Sequence, residues 1–158
     1  IAVEAEVREI EHAADPAAVP RSSVQEVERF VEAVDADMLA VAVGTAHGIF
    51  EQQDYLDIGL LRSIDQATDL PLVLHGTCGL KLDLVSKAAR HGMDKINFGE
   101  IFRLNYIDYY GRFTDSLDHE GHTWRISRAC MCALKKDTRR LIDALGCGGK
   151  AGLVRRRD

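Results

Sequence analysis

Four short apolar stretches, each followed by a segment of helical spacing, set the terms on which this chain can fold. Met38-Leu39-Ala40-Val41-Ala42-Val43 is apolar without a break, as expected of a parallel strand buried on both faces. Ile1 to Val7 alternates apolar residues with Glu4 and Glu6, and Pro71 to Leu74 and Lys95 to Phe98 complete the set. Between the first two, Ser23-Val24-Gln25-Glu26 is a capping-box signature, and Val24, Val27, Phe30, Val31 and Val34 fall on one helical face. Leu56, Leu60, Leu61 and Ile64 repeat that spacing, as do Leu82, Val85 and Ala89 before Gly92. Two longer helices are predicted, Gly99 to Phe113 and Thr123 to Leu145, the second closed by Gly146. Strict β–α alternation with short connections predicts a parallel sheet covered by helices, as in a closed barrel or an open doubly wound sheet.

The 158 residues suit one domain, with 46% hydrophobic and 28% charged residues. No apolar run approaches the roughly 20 residues of a membrane span, and no signal segment opens the chain. Net charge is −5 and the one basic block is Lys150 to Arg157, so a nucleic-acid footprint is missing. Cys78, Cys130, Cys132 and Cys147 lack framework spacing, which predicts reduced thiols and a cytoplasmic protein.

Polar residues gather where the predicted strands end. The second strand runs into Gly44-Thr45-Ala46-His47-Gly48, the third into His75-Gly76-Thr77-Cys78-Gly79, and the fourth carries Asn97 and Gly99. In parallel α/β proteins this end of the sheet carries the active site. Histidines ending neighbouring strands, about 4.8 Å apart, can share a metal; alternatively each is hydrogen-bonded scaffold. Glu6 reads as a carboxylate near such a metal or as a solvated strand-end charge, and Asn97 as a substrate contact or a turn residue. Other patterns carry less. His119-Glu120-Gly121-His122 lacks zinc-protease spacing, Cys130 and Cys132 point different ways on one helix, and Gly146 to Lys150 reads as a helix-ending turn rather than a phosphate loop.

These residues resemble the class II, metal-dependent fructose- and tagatose-bisphosphate aldolases over nearly the whole chain. Val3-Glu4-Ala5-Glu6 resembles that family's fifth barrel strand. LAVAVGTAHG, Leu39 to Gly48, is similar to its sixth, PLVLHGTCG, Pro71 to Gly79, to its seventh, and Lys95-Ile96-Asn97 to the start of its eighth; Gly146 to Ala151 is similar to its ending. The resemblance implies strands five to eight, the C-terminal half of a (β/α)₈ TIM barrel, with residues 1–158 as a single partial domain. It implies reversible aldol cleavage of a ketose (bis)phosphate or related ketose through a metal-stabilised enediolate, with catalytic Zn²⁺ and a monovalent cation near the phosphate site. His47 and His75 would be two of three zinc ligands, and Glu6 a carboxylate for a second or displaced metal. Gly48, Gly76, Thr77, Cys78, Gly79, Asn97, Phe98, Gly99 and Glu100 would line the substrate site. The implied partners are a small sugar, neither nucleic acid nor membrane, and, at full length, further copies of the same chain.

Three departures shape these expectations. The family's third zinc histidine and catalytic Asp lie on an earlier strand that nothing here matches, so the chain alone is expected to be inactive and to be part of a longer protein, which also accounts for a start at Ile1. Cys78 and Glu100 stand where the family has Ser and Thr, a weaker donor and a charge repelled by phosphate, which favours a non-phosphorylated or differently substituted ketose. The loop Arg8-Glu9-Ile10-Glu11-His12 lacks the family's glycines; Glu11 or Asp15 is the candidate proton-transferring acid. The alternatives are a non-catalytic half-barrel acting by association and another metal-dependent barrel enzyme, such as a sugar isomerase.

Overall fold

A computed structural model describes residues 1–8, 19–48, 52–116 and 122–153. The chain divides into two compact units, Ile1–Gly99 and Glu100–Asp158. The first contains β1 (Glu4–Glu6), α1 (Val24–Ala33), β2 (Met38–Ala40), α2 (Ile58–Asp65), β3 (Leu72–Leu74), α3 (Leu82–Arg90) and β4 (Met93–Ile96). All pairings are parallel and the spatial order is the chain order, β1-β2-β3-β4. A doubly wound sheet reverses strand order at a switch point. This sheet advances one strand at a time, consistent with part of a (β/α)₈ barrel. Its curvature is visible in one ion pair: Lys95 on β4 reaches Glu4 on β1, across three inter-strand spacings of about 4.8 Å, which requires a concave face between them.

The core lies between sheet and helices. Leu39 to Val43 and Leu72 to Leu74 are fully buried, covered by Val27, Leu61, Ile64, Val85 and Ala88. Each fully buried leucine contributes about 2 kcal/mol of transfer free energy. The apolar run after Met38 is buried as expected, but the ladder ends at Ala40 rather than Val43. Beyond it the backbone turns to other partners. Ser22 exchanges two bonds with Ala42, and Val43 O accepts from Asp57 N at 2.8 Å. Buried peptide groups must be paired, and here a loop does it. The fourth strand is Met93–Ile96, earlier than the expected Lys95 to Phe98, because the Asp94 carboxylate accepts from Leu72 N at 3.0 Å and starts the pairing there. The first and third strands are likewise shorter than the apolar runs that announce them. On α3 the buried residues are Val85 and Ala88. Leu82, in the first turn, is 46% exposed, so the expected Leu82–Val85–Ala89 face is rotated.

The second unit contains α4 (Glu100–Ser116), α5 (Thr123–Ala144) and a 3₁₀ turn, Lys150–Leu153. The helices pack together: Tyr109 Oη and Asn105 Nδ2 both donate to Asp137, which pushes the Tyr109 phenol above its ordinary pKa. Cys130 is buried and Cys132 exposed, in keeping with their two-residue spacing. Helix α5 ends in a Schellman turn: Gly146 has φ +66°, its N–H donates to Asp143 O, and Cys147 N–H donates to Ile142 O. The Gly146 to Lys150 segment is therefore the helix stop its sequence suggested. No helix among the described residues is long and apolar enough to cross a membrane.

The capping box of α1 forms in full. Ser23 Oγ accepts from Glu26 N at 3.2 Å, and the Glu26 carboxylate accepts from Ser23 N at 2.7 Å and pairs with Arg8. The Ser23 N–H first, and the Arg8 guanidinium next, hold the Glu26 carboxyl down to about 2 from 4.5. A folded-state pKa below the unfolded one gives stability that is present above about pH 4.5 and lost as pH falls toward 2. Glu26→Gln is therefore expected to melt below the natural protein at pH 7, with the gap closing across that window. A gap independent of pH there would show that the carboxylate carries none of it.

Candidate active site

Strands β1 and β4 and the segments that follow β2, β3 and β4 bring Glu4, Glu6, His47, His75, Lys95 and Asn97 together. His75 follows the buried β3, and its Nε2 lies 2.8 Å from Glu4 Oε1. Burial raises the Glu4 pKa, but the bonds from Lys95 and His75 outweigh it and hold the carboxyl below its ordinary value. An ionised carboxylate only accepts, so Nε2 carries a proton, and in the neutral ring Nδ1 keeps its lone pair. The Asn97 side-chain amide stands 3.0 Å from the same Nε2. The atom placed there is Nδ2; with the Nε2 proton given to Glu4, a half-turn of the amide would bring its oxygen to Nε2 instead.

On the other side of the ring, Glu6 Oε1 lies 3.7 Å from His75 Nδ1. That oxygen is buried and has no hydrogen-bond partner. The His47 ring stands beside His75, centroids 5.8 Å apart at 68°. A buried carboxylate oxygen facing an imidazole lone pair is an unfavourable arrangement unless a cation or proton lies between them. Two imidazoles and a carboxylate are also a donor set suited to zinc. The set is not closed: no three His, Cys, Asp or Glu side chains among the described residues come together tightly enough to hold an ion unaided.

Thr45 and Gln53, which sequence reasoning did not single out, tie the two histidine loops together, and Thr77, an expected site residue, ties the second loop to Asn97. Thr45 Oγ1 donates to His75 O at 2.8 Å, and Thr77 Oγ1 donates to Asn97 O at 2.7 Å. Gln53, buried, bonds to both loops. Gly76 has φ +66°, and a Cβ there would meet the Ala46 backbone at 2.7 Å, so the position demands glycine twice over. Glu4 could have been found from parity, since it shares a strand face with Glu6. Lys95 and Gln53 carry no such signal, because their partners are 91 and 25 positions away.

The remaining expected residues are placed as follows. Gly48 is half-buried at the end of its loop, Thr77 and Cys78 are buried, and Gly79 O accepts from Gln53 N at 2.7 Å. Asn97 and Phe98 are half-buried after β4, and Gly99 is exposed. Glu100 opens α4 in the second unit, where its charge suits the helix N-terminus. Glu11 and Asp15 lie outside the described residues, as does most of His119 to His122.

Two outcomes follow. In the metal-free protein, nitrogen-15 NMR should find His75 as the Nε2–H tautomer, with Glu4→Gln introducing the other; an Nδ1–H majority in the unaltered protein would refute the assignment. Gly76→Ala should cost about 2 kcal/mol or more, read from denaturant unfolding.

Nearly the whole chain is similar to known proteins. The family description "Fructose-bisphosphate aldolase class-II" matches residues 1–150. The chain resembles the solved YdjI aldolase from Escherichia coli K12, with TM-score 0.70 and 27% identity over 83% of this chain and 48% of that one. It also resembles a putative fructose-1,6-biphosphate aldolase from Coccidioides immitis, with TM-score 0.75 and 27% identity over 98% and 55%. Fructose-bisphosphate aldolase from Campylobacter jejuni shares the fold, with TM-score 0.63 at 16% identity over 80% and 46%. The chain thus spans about half the length of these solved structures. With its family description matched over 150 of 158 residues, the chain belongs to the class II fructose-bisphosphate aldolase family.

Proposed function

We propose that this chain supplies the C-terminal half, strands five to eight, of a zinc-dependent aldolase that reversibly cleaves a ketose. The observation that carries the reading is the unpartnered Glu6 oxygen facing His75 Nδ1, with His47 alongside. His47 and His75 would hold the zinc, with Glu6 as an alternative or additional donor. When bound, zinc supplies a Lewis acid that polarises the ketone. The chain's own residues orient the centre. Glu4, anchored by Lys95, fixes the His75 ring and its tautomer, and carboxylate partners of this kind raise ligand basicity. The third histidine and the catalytic Asp match no residue of this chain, so we assign them to a segment outside it and expect the chain alone to be inactive.

The loop after His75 bears on the substrate. The Thr77 hydroxyl is committed to Asn97 O, and Cys78 is 2% exposed with a weakly donating thiol. A phosphate at this loop would therefore find backbone N–H groups rather than hydroxyls. That supports a ketose with no phosphate at this end, or with another substituent, over a ketose bisphosphate.

The full-length natural protein should lose retro-aldol activity on chelation and regain it with Zn²⁺. His47→Ala and His75→Ala should each lower kcat/KM by about a hundredfold or more, and Glu4→Gln should weaken zinc about 10- to 100-fold. A panel of ketose bisphosphates, monophosphates and free ketoses is expected to show cleavage with the bisphosphate not preferred. Aldose–ketose interconversion without cleavage would replace this reading by an isomerase.

A further inference from the structure

The two histidine loops converge on one buried side chain. Gln53 is 1% exposed, and its Nε2 lies 2.6 Å from Cys78 O, 2.9 Å from Gly76 O and 3.4 Å from Ala46 O. Its Oε1 accepts from Ala46 N at 3.1 Å. The amide cannot be turned round, because the oxygen would then face three carbonyls and the NH₂ would face an N–H. Gly76 makes the convergence possible, since its missing Cβ lets the second loop approach the Ala46 backbone.

Three carbonyl oxygens aimed at one point repel unless something positive sits at their focus. A cluster of backbone carbonyls of this kind is how proteins replace the hydration shell of a monovalent cation. Here the focus already holds the two N–H groups of an amide. They serve the carbonyls of Gly76 and Cys78 at hydrogen-bond length and leave the Ala46 carbonyl with a long, shared contact. The monovalent cation that the sequence resemblance implied near this loop would have to displace Gln53 from that focus.

We propose that the Gln53 side-chain amide takes the place of a monovalent cation at the junction of the two loops. The protein then needs neither Na⁺ nor K⁺ to keep His47 and His75 in register. Gln53 is a positioning residue: its side chain bonds to the backbone of Ala46, Gly76 and Cys78 and acts on the histidines through it. The cation it replaces is the one the family resemblance implies; the melting test uses neither substrate nor zinc, so it can fail while the aldolase reading stands.

The full-length natural protein and its Gln53→Ala variant are melted in KCl, NaCl and choline chloride at equal ionic strength. The natural protein should melt within about 1 °C in all three salts. Gln53→Ala, with the focus emptied, should melt several degrees lower in choline and recover about 3 °C or more in KCl or NaCl. Zinc affinity should follow the same pattern, falling about tenfold for the variant in choline and returning with the small cation. A merely space-filling glutamine would give a variant equally weakened in every salt, and that result overturns the proposal. So does a natural protein that itself loses about 3 °C or more on exchange of K⁺ for choline, or a Gln53→Ala variant that is insoluble in all three salts.

Discussion

The pairing of β2 with β3 is the contact on which the site depends. Leu39 opposes Leu72 and Ala40 opposes Val73, all fully buried. A one-residue slip would move every side chain to the opposite face, where the packing against its neighbours would be lost. His47 and His75 follow from these two strands, so the apolar ladder fixes where the imidazoles emerge. The ring spacing of 5.8 Å is close to one inter-strand step.

Beyond the ladder, the same region is held by polar contacts that each satisfy a buried peptide group. Ser22 caps the end of the apolar run, Thr45 takes the His75 carbonyl, Thr77 takes that of Asn97, and Gln53 joins the two loops. A buried network of this kind is stable only when every member is satisfied. Among the described residues the one buried side-chain oxygen left without a hydrogen-bond partner is Glu6 Oε1, and it sits beside the histidines. Unsatisfied buried polar atoms are uncommon in native proteins and call for an explanation. The cation proposed above, held between Glu6 and His75, supplies one.

The electrostatics point the same way. Glu4 is fixed between a lysine from β4 and a histidine from the end of β3, so three strands contribute to one ion-paired cluster. Its ionised state decides the tautomer of His75, and the tautomer decides which ring nitrogen remains available. Positioning thus begins one residue behind the groups that would touch a ligand.

Much of this was legible in the sequence. The apolar run from Met38, the Ser23–Glu26 box and the histidines after two strands gave the parallel sheet, the first helix and the pair of candidate ligands, because each signal is local and rests on periodicity or capping chemistry. Strand ends were not legible, since Ser22, Asp57 and Asp94 supply backbone partners from outside the strands. Lys95 meeting Glu4, and Gln53 meeting the carbonyls of two loops, were decided by tertiary structure alone. A curved sheet and a glycine-tight loop bring together groups that no sequence period relates, and only the folded geometry gives them an energy.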